Sequence, residues 1–253
     1  MIEAEERLDH MRALLDRHGR VHVSDLATHF HVSKETVRRD LKQLELAGEA
    51  RCVYGGAVKP TRDGDEPIAD RMRVNGREKA RIGAEAAKLL RRDIKIFVDA
   101  GTTTLAFARH LKDWPDIAVY TNSLDIVELL CGFGARNVTA VGGQVSPRYR
   151  AFMGSDPLLF VANHLFDIAF VSIVAVDYEL GFMDLGADEA HLRRQLRKHS
   201  RQCVMLADSS KFGRQGSIRT YDLADVDVLV TDAPVRPDFA AKLDKANVKV
   251  HYA

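Results

Sequence analysis

Hydrophobic residues near the start of the chain recur at helical spacing and predict three consecutive helices. The first helix covers residues 4–18 and ends at Gly19, and its inward face is made of Leu8, Met11, Leu14 and Leu15. The second and third helices lie in residues 21–48, VHVSDLATHFHVSKETVRRDLKQLELAG. Their apolar faces are separated by only a few residues, which indicates two short helices joined by a tight connection.

Polar residues mark the limits of the two helices in residues 21–48. Ser24 is expected to cap the first helix, and residues 31–32 form the connection. Ser33 is expected to cap the second helix, with Thr36 at the position where a full capping box has Glu or Gln. The residues predicted to face inward are Leu26, Ala27, Phe30, Val37, Leu41 and Leu44. This arrangement is typical of a helix-turn-helix.

The start and outward face of the second helix carry the polar and basic residues Ser33, Lys34, Glu35, Thr36, Arg38, Arg39 and Lys42. Arg can pair bidentately with guanine, Thr can contact a thymine methyl group, and Lys and Arg can hold phosphates. We therefore interpret this helix as the recognition helix of a DNA-binding domain. The alternative is a solvated charged face of an ordinary amphipathic helix, because Asp40 and Glu45 dilute the basic charge.

A short apolar run with two glycines follows the predicted recognition helix. Residues 51–59, RCVYGGAVK, predict two strands around a glycine turn, which would form a wing. The run VSKETVRRDLKQLELAG followed by YGGA resembles the DNA-binding domain of the DeoR-type bacterial repressors of sugar catabolism. The resemblance implies further DNA contacts from the wing, at Arg51, Tyr54, Gly55 and Gly56. Cys52 and Tyr54 stand where the family has Arg and then His, so we expect Arg51 to substitute from a neighbouring position.

From residue 94 onward, apolar strands alternate with amphipathic helices. The segments predicted to be strands are IKIFVDAG, IAVYT, NVTAVGG, DIAFVSIVAVD, QCVMLAD, VDVLVTD and VKVHY. Such apolar strands are typical of a parallel sheet that is covered by helices on both faces. The sequence therefore predicts an α/β protein, with an N-terminal winged helix-turn-helix and a C-terminal parallel-sheet domain.

Prolines, a glycine and dense charge between these two patterns predict a linker. We expect residues 1–57 to form the DNA-binding domain, residues 58–75 the linker, and residues 76–253 an effector-binding and oligomerisation domain. Ile68 and Met72 indicate that the second half of the linker docks onto a folded part of the protein.

The composition adds constraints on partners and location. The chain has 253 residues and a formal net charge of only +1, so DNA binding requires locally concentrated cations or their doubling in a dimer. Three widely spaced cysteines without metal-ligand spacing indicate reduced thiols in a cytoplasmic protein. The polar start of the sequence predicts no signal peptide, and no apolar run reaches the length of a membrane span. We expect neither a metal nor a cofactor.

Small and polar residues follow three successive predicted strands, at the strand ends where ligands bind in open α/β sheets. The three loops contain Asp99, Gly101, Thr102, Thr103 and Thr104, then Asn122 and Ser123, and then Gly142 and Gly143. Hydroxyl groups together with the free N–H groups of a helix N-terminus can form an anion site. Each loop taken alone is also consistent with a helix cap and a turn, and this alternative stays open.

The same loops resemble the effector domain of the DeoR-type repressors, which looks like ribose-phosphate isomerases and related sugar-phosphate proteins. The matching motifs are D-x-G-T-T at 99–103, T-N-S at 121–123, G-G at 142–143, E-A at 189–190 and D-S-S-K-F-G at 208–213. The resemblance implies that a phosphorylated sugar or polyol binds among them, with further contacts from Asp177, Glu189, Arg193, Asp208 and Lys211. The family commonly has glycines at the positions of Ser172 and Ala175, so a compact or linear ligand is expected.

Three basic residues are candidates to balance the charge of a phosphate. Arg193 replaces the family's usual lysine and keeps the positive charge. Arg148 follows the third loop, where it meets a phosphate or remains an exposed loop charge. Lys211 is either a phosphate donor or a partner for Asp208.

Two functions fit these observations. The first is a DNA-binding regulator, expected to repress a carbohydrate or polyol catabolic operon, whose occupancy of double-stranded operator DNA is controlled by a phosphorylated effector. Recognition helices usually contact paired half-sites, which favours a homodimer. The resemblance to the DeoR-type repressors, among which tetramers are common, leaves a homotetramer as the alternative. The alternative is a sugar-phosphate isomerase with an appended helical domain, in which Asp177 and Glu189 serve as acid and base. The sequence lacks the K-G-x-G-G loop of the isomerases it resembles, which favours the regulator over the enzyme.

Overall fold

The computed structural model describes residues 4–47, 49–53, 55–58 and 68–253. Tyr54 and residues 59–67 of the predicted linker therefore lie outside the described residues. The chain divides into two compact units, Met1–Asp63 and Gly64–Ala253. The predicted start of an independently folding C-terminal domain at residue 76 stays a prediction.

The first unit combines three helices with a small antiparallel sheet. Its helices are α1 (Ala4–His18), α2 (Val23–Phe30) and α3 (Lys34–Leu46). Its strands are β1 (Arg20–His22), β2 (Arg51–Val53) and β3 (Gly56–Val58), in the order β1-β3-β2. One apolar core joins them, with Met11, Val37, Leu41 and Leu44 at most 1% exposed. The predicted helices and wing strands are confirmed, whereas the three-residue strand β1 is too short to show an alternating pattern.

Strand β1 is held close to the wing because of a glycine. Val21 pairs with Ala57, and the backbone N–H of Val23 donates to the carbonyl of Gly55 at 2.8 Å. A Cβ atom at Gly56 would lie 1.9 Å from the carbonyl oxygen of Val21, so a larger residue cannot occupy this position without displacing the strand.

The start of α2 differs from the prediction. The helix begins at Val23, directly after β1, and His22 is the residue that precedes its first turn. Ser24 lies inside that turn, and its hydroxyl group is 3.0 Å from a carboxylate oxygen of Asp25. The prediction that Ser24 caps α2 is therefore wrong, because strand pairing sets the start of the helix.

A large sheet forms the centre of the second unit. Its strands are β4 (Lys95–Val98), β5 (Ala118–Thr121), β6 (Val138–Ala140), β9 (Phe166–Ser172), β12 (Ser200–Leu206), β14 (Val228–Thr231) and β15 (Lys249–Tyr252). They pair in parallel in the order β15-β14-β12-β9-β4-β5-β6, which confirms the predicted parallel sheet. Two short hairpin strands, β7 (Gln144–Ser146) and β8 (Ala151–Met153), follow β6.

Helices cover both faces of this sheet. They are α5 (Gly76–Ala87), α6 (Thr102–Ala108), α7 (Leu124–Gly132), α8 (Ser155–Ala162), α9 (Ala187–Lys198) and α10 (Pro237–Lys245), and the short helix α4 (Ile68–Arg73) precedes them in sequence. Alternate residues of one strand reach opposite cores, as in β4, where Ile96 and Val98 pack with α5, α6 and α7 while Phe97 packs with α8, α9 and α10. This arrangement explains why the strands are apolar throughout.

Helix α4 belongs to the second unit, although the sequence assigned its residues to the linker. Ile68 is 3% exposed, and its N–H donates to the carbonyl of Arg148 at 3.3 Å. The ammonium of Lys79 is buried and donates to the carbonyl oxygens of Arg71 and Val74, both at 2.7 Å. These bonds fix the helix against the rest of the unit.

The apolar segment 167–177 is two strands, where the sequence predicted one. Strand β9 ends at Ser172, and β10 (Ala175–Asp177) pairs antiparallel with β11 (Gly181–Asp184) in a separate sheet completed by β13 (Ile218–Tyr221). Ala175 and Val176 are as buried as the residues of β9, so hydrophobicity continues through the break and conceals it.

Candidate DNA-binding surface and effector site

The front of α3 is built by a serine cap. The hydroxyl oxygen of Ser33 accepts the N–H of Thr36 at 3.1 Å, and the two hydroxyl oxygens lie 2.9 Å apart. His31 ends α2 in the left-handed region, with φ of 54°, so the connection to Ser33 is tight. The cap and the turn occur as the sequence predicted, and they direct the first turn of α3 away from the core.

The outward face of α3 is exposed and predominantly basic. Lys34, Arg39 and Lys42 are exposed, and Thr36 is half-buried. Arg38 is exposed and donates to the Glu35 carboxylate at 3.1 Å, while Lys42 contacts Glu45 at 2.6 Å. Exposed ion pairs of this kind contribute little stability, so DNA phosphates can compete for these cations.

Asp40 does not belong to this outward face, contrary to the sequence interpretation. It is 6% exposed and accepts two hydrogen bonds from Arg7 of α1, at 2.6 Å to Oδ2 and 3.1 Å to Oδ1. This hydrogen bonding raises the pKa of Arg7. Asp40 lies three residues after Val37 and four before Leu44, a spacing that placed it inward and that could have revealed the pair.

The predicted wing contacts are described only in part. Gly55 adopts φ of +81° at the turn, and the backbone of Arg51 lies in β2, but its side chain is not described. Tyr54 lies outside the described residues. Glu45 joins α3 to the wing, because it accepts the N–H of Cys52 at 2.8 Å in addition to its contact with Lys42.

In the second unit, the loop after β4 is the first of the predicted ligand loops. The N–H of Asp99 donates to the carbonyl of Phe170 at 3.0 Å, and Thr103 and Thr104 are buried. A Cβ atom at Gly101 would lie 2.1 Å from the hydroxyl oxygen of Ser172. The serine that replaces the family's usual glycine is therefore accommodated by the glycine opposite it.

Asp99 belongs to a buried group of charges. Arg193 donates from Nε to Asp99 at 2.7 Å and from Nη1 to Asp184, and all three side chains are at most 6% exposed. The second carboxylate oxygen of Asp184 accepts the hydroxyl of Thr220 at 2.7 Å. Burial opposes the charged guanidinium, but the attraction of Asp184 and Asp99 outweighs it and raises the pKa of Arg193. The positive charge of Arg193 is thus balanced by two carboxylates of the protein itself.

Burial also raises the pKa of Asp99, although the attraction of Arg193 opposes this shift. The buried group links three elements of the fold, since Asp99 follows β4, Asp184 ends β11 and Arg193 lies on α9. Asp99 therefore holds its loop against α9 through Arg193.

In the second predicted ligand loop, after β5, the polar side chains mainly make hydrogen bonds to the backbone of the protein. The side-chain oxygen of Asn122 accepts the N–H of Ala100 at 3.0 Å, and its amide donates to the carbonyl of Phe152 at 3.3 Å. Ser123 caps α7 by accepting the N–H of Ile126 at 3.3 Å. Thr104 similarly donates to the carbonyl of Gly101 at 3.0 Å. The sequence left open that this loop is a helix cap and a turn, and the observed contact of Ser123 is such a cap.

The other predicted ligand residues are spread around the same end of the sheet. Gly142 is exposed, while Gly143 has φ of +150° and leaves no room for a Cβ beside Pro157. Asp208 is buried and accepts from the amide of Asn75 at 3.0 Å and from the N–H of Ser210 at 3.1 Å. Lys211 is half-buried in the short helix that follows.

Asp177 occupies a turn of the small sheet. One of its oxygens accepts the N–H groups of Glu179 and Leu180, each at 2.8 Å, and the other accepts from Gln215 at 2.8 Å. The two backbone bonds and the Gln215 bond lower the pKa of Asp177. A general base working near neutral pH needs a raised pKa, so these contacts argue against Asp177 as the base of an isomerase.

A cluster around Tyr149 was missed by the sequence reasoning. The Tyr149 ring packs against a small apolar cluster that contains Ala100, and the Cζ atoms of Arg71 and Arg148 lie 5.4 and 5.2 Å from its centre. Burial raises the pKa of Tyr149 to about 12, and the nearby Glu189 carboxylate adds to this shift. Arg71 gave no sequence signal because its segment was assigned to a linker.

Among the residues that the structure describes, no three or more His, Cys, Asp or Glu side chains are arranged to hold a metal ion. Over the same residues, no helix combines the length and the apolar character needed to cross a membrane.

Comparison with known proteins covers both units. Residues 7–63 match the DeoR-like helix-turn-helix domain, and residues 74–233 match the DeoR C terminal sensor domain. The HTH-type transcriptional regulator GlpR of Haloferax volcanii is 31% identical over 99% of this chain and 98% of its own length. The glycerol-3-phosphate regulon repressor of Escherichia coli K12 is 28% identical over 87% of this chain and 88% of its own length.

Among solved structures, ribose 5-phosphate isomerase A from Methanocaldococcus jannaschii is similar over 55% of each chain, with 18% identity and a TM-score of 0.40. The curated relatives are named as regulators and repressors rather than as enzymes. The two matched domains together span most of the sequence. The chain therefore belongs to the DeoR family of transcriptional repressors of sugar-related operons.

Proposed function

We propose that this repressor reads operator DNA with α3 and releases or tightens its hold when a phosphorylated sugar or polyol binds in the second unit. The observation that carries the DNA-binding part is the separation of roles on α3. Its apolar residues and Asp40 serve the core, whereas Arg38, Arg39 and Lys42 are exposed. Cations with no core role at the front of a capped second helix suit the major groove.

The effector is proposed to bind at the end of the sheet where the loop after β4 meets the Tyr149 cluster. Gly101, Thr102 and Thr103 supply backbone and hydroxyl groups there, and Arg148 and Glu189 lie around Tyr149. A ligand changes operator affinity only by the difference in its affinity for the two arrangements of the protein. The relative named for glycerol 3-phosphate makes that compound a sensible first probe.

DNA binding is tested by selecting duplexes from a random pool with the full-length protein and titrating the enriched sequence at several salt concentrations. The expected enriched site has two related half-sites, because a homodimer or homotetramer would present paired recognition helices. Sedimentation of residues 64–253 then tests whether the second unit assembles without the first. A well-folded monomeric fragment would place the subunit contact in the first unit.

The effector is tested by calorimetry with matched pairs, namely glycerol 3-phosphate against glycerol and hexose phosphates against the parent sugars. We expect at least one phosphorylated compound to bind and to change affinity for the selected duplex, while its parent does neither. If parent and phosphorylated compounds bind equally, the effector is not recognised through its phosphate. If the purified protein turns over a sugar phosphate, the regulator would also be an enzyme.

A further inference from the structure

Tyr149 brings two arginine side chains from different elements to one place. The Cζ atom of Arg71, on α4, lies 5.4 Å from the centre of the Tyr149 ring. The Cζ atom of Arg148, between β7 and β8, lies 5.2 Å from the same centre. The ring also packs against a small apolar cluster of Ala100, Ala151 and Met153, and Ala100 is the residue before Gly101. Two like charges are therefore held next to the loop at which the effector is proposed to bind.

Backbone contacts set the position of both arginines. The N–H of Ile68, at the start of α4, donates to the carbonyl of Arg148 itself. At the other end of this six-residue helix, the buried ammonium of Lys79 is shared between the carbonyl oxygens of Arg71 and Val74. Carbonyl groups at a helix end have no partner within the helix, and Lys79 satisfies two of them. Arg71 is thus placed by the fold and does not simply extend from the surface.

The charges of this cluster favour an anion. Among the described side chains of this cluster, Glu189 is 8% exposed and supplies one carboxylate beside Tyr149, against two guanidinium groups. The Glu189 carboxylate lies close to the start of α9, because a Cβ atom at Gly186 would be 2.1 Å from Glu189 Oε2. Both arginines also interact with other groups of the chain, so an anion would share them.

The geometry suits phosphate in particular. A guanidinium placed over an aromatic ring uses its face, which leaves the N–H groups along its edge to donate in the plane. Arginine pairs bidentately with phosphate oxygens, and a phosphate monoester carries about two negative charges near neutral pH. Two arginines over one ring therefore match one phosphate group better than a carboxylate, which carries a single charge.

We propose that Arg71 and Arg148, positioned by Tyr149, form the subsite that holds the phosphate group of the effector. This inference rests on the proposed function and assigns its phosphate selectivity to named residues. Arg71 lies on the first described helix of the second unit, which follows in sequence the segment that leads from the DNA-binding unit. A phosphate bound here stabilises the observed position of α4, which supplies a contact that can differ between two states of the repressor.

The experiment uses the full-length protein and inorganic phosphate as the probe, with chloride at the same ionic strength as the reference. A ligand that binds only the folded state raises the urea midpoint in proportion to its affinity. We expect phosphate to raise the midpoint of the wild type, and Arg71→Gln and Arg148→Gln each to weaken the apparent phosphate affinity at least tenfold. Arg150→Gln is the matched control, because Arg150 is exposed and pairs with Asp125 and Glu128 instead.

Variants of Tyr149 test whether the ring positions the two arginines, separately from any loss of their charge. Tyr149→Phe keeps the aromatic ring and should keep most of the effect of phosphate on the urea midpoint. Tyr149→Leu removes the ring and should lose this effect, although both arginines are still present. If Arg71→Gln fails to fold, Arg71→Lys keeps the charge without the planar fork and should bind phosphate with intermediate affinity.

The outcomes distinguish the subsite from the proposed function. The subsite is overturned if the wild type shows no phosphate effect, or if Arg71→Gln and Arg148→Gln respond like the wild type and Arg150→Gln. The proposed function fails instead if no sugar phosphate changes DNA binding by the wild type. Loss of the phosphate effect in Arg71→Gln would then still establish an anion site, without a regulatory role.

Discussion

Replacing Arg193 by methionine would remove the positive centre of a buried group of charges. The side chains of Asp99 and Asp184 are 4% and 1% exposed, so neither carboxylate can regain its hydration while the unit stays folded. Methionine fills much of the same space and carries no charge. Removing one partner of a buried ion pair costs about 3–5 kcal/mol, because the remaining charge is uncompensated. We expect Arg193→Met to lower the free energy of unfolding of the second unit by this amount.

The loss should depend on pH in a defined direction. Without Arg193, the folded state keeps Asp99 neutral to a higher pH than the unfolded chain does, where the pKa of Asp is about 3.9. The folded state then binds more protons than the unfolded chain above that pH, and stability falls as pH rises through the raised pKa of Asp99. In the wild type, burial already raises the pKa of Asp99. The variant should therefore be closest to the wild type near pH 5 and furthest from it near pH 8.

Urea unfolding followed by tryptophan fluorescence measures this loss, because the single tryptophan of the chain, Trp114, lies in the second unit. With an m value of about 2 kcal/mol/M, the midpoint should fall by about 1.5–2.5 M. Arg197→Met on the same helix is the control, since Arg197 is 29% exposed and lies 3.6 Å from Asp227. Such a partly exposed pair contributes about 0.2–1 kcal/mol. Equal losses in the two variants, or an Arg193→Met loss that does not change with pH, would refute the reasoning.

Three further predictions concern the first unit. Asp40→Asn should weaken the contact with Arg7 and destabilise this unit by about 3 kcal/mol. The unfolding transition of the second unit, followed by tryptophan fluorescence, should not change, and a shift of that transition would contradict this prediction. Arg39→Ala should cost about 1–3 kcal/mol of DNA affinity if the side chain reads a base, or flatten the salt dependence if it holds a phosphate. Unchanged binding by a folded Arg39→Ala protein would count against α3 as the reading helix. Gly56→Ala should push β3 away from Val21 and cost about 1–3 kcal/mol, measured by circular dichroism of residues 1–63; wild-type stability would show that the strands can separate freely.

Local signals predicted the parts of the fold that depend on nearby residues. Ser33 caps α3 because its partner Thr36 lies three residues away, and the apolar strands predicted a covered parallel sheet because burial on both faces requires it. The break after Ser172 could not be seen, since β10 is buried in its own sheet and continues the apolar pattern. Strand β1 depends on pairing with a wing more than thirty residues away in sequence.

The candidate sites show the same division. The exposed cations of α3 followed from helical spacing alone. Asp40 was misplaced because its partner Arg7 lies on another helix, and Arg193 was assigned to a ligand because its two carboxylate partners are distant in sequence. A charged residue in a motif can serve either the fold or a ligand, and only its surroundings in three dimensions decide which.

The close approach of Gly101 and Ser172 has a consequence for how this sequence can diverge. A side chain at position 101 would need the space that the Ser172 hydroxyl occupies, since the two atoms would be 2.1 Å apart. Ser172→Gly should be tolerated alone and open that space, whereas Gly101→Ala should be tolerated only after it. The order in which these two substitutions arise therefore matters, and one lineage can reach a variant loop that another cannot reach in a single step.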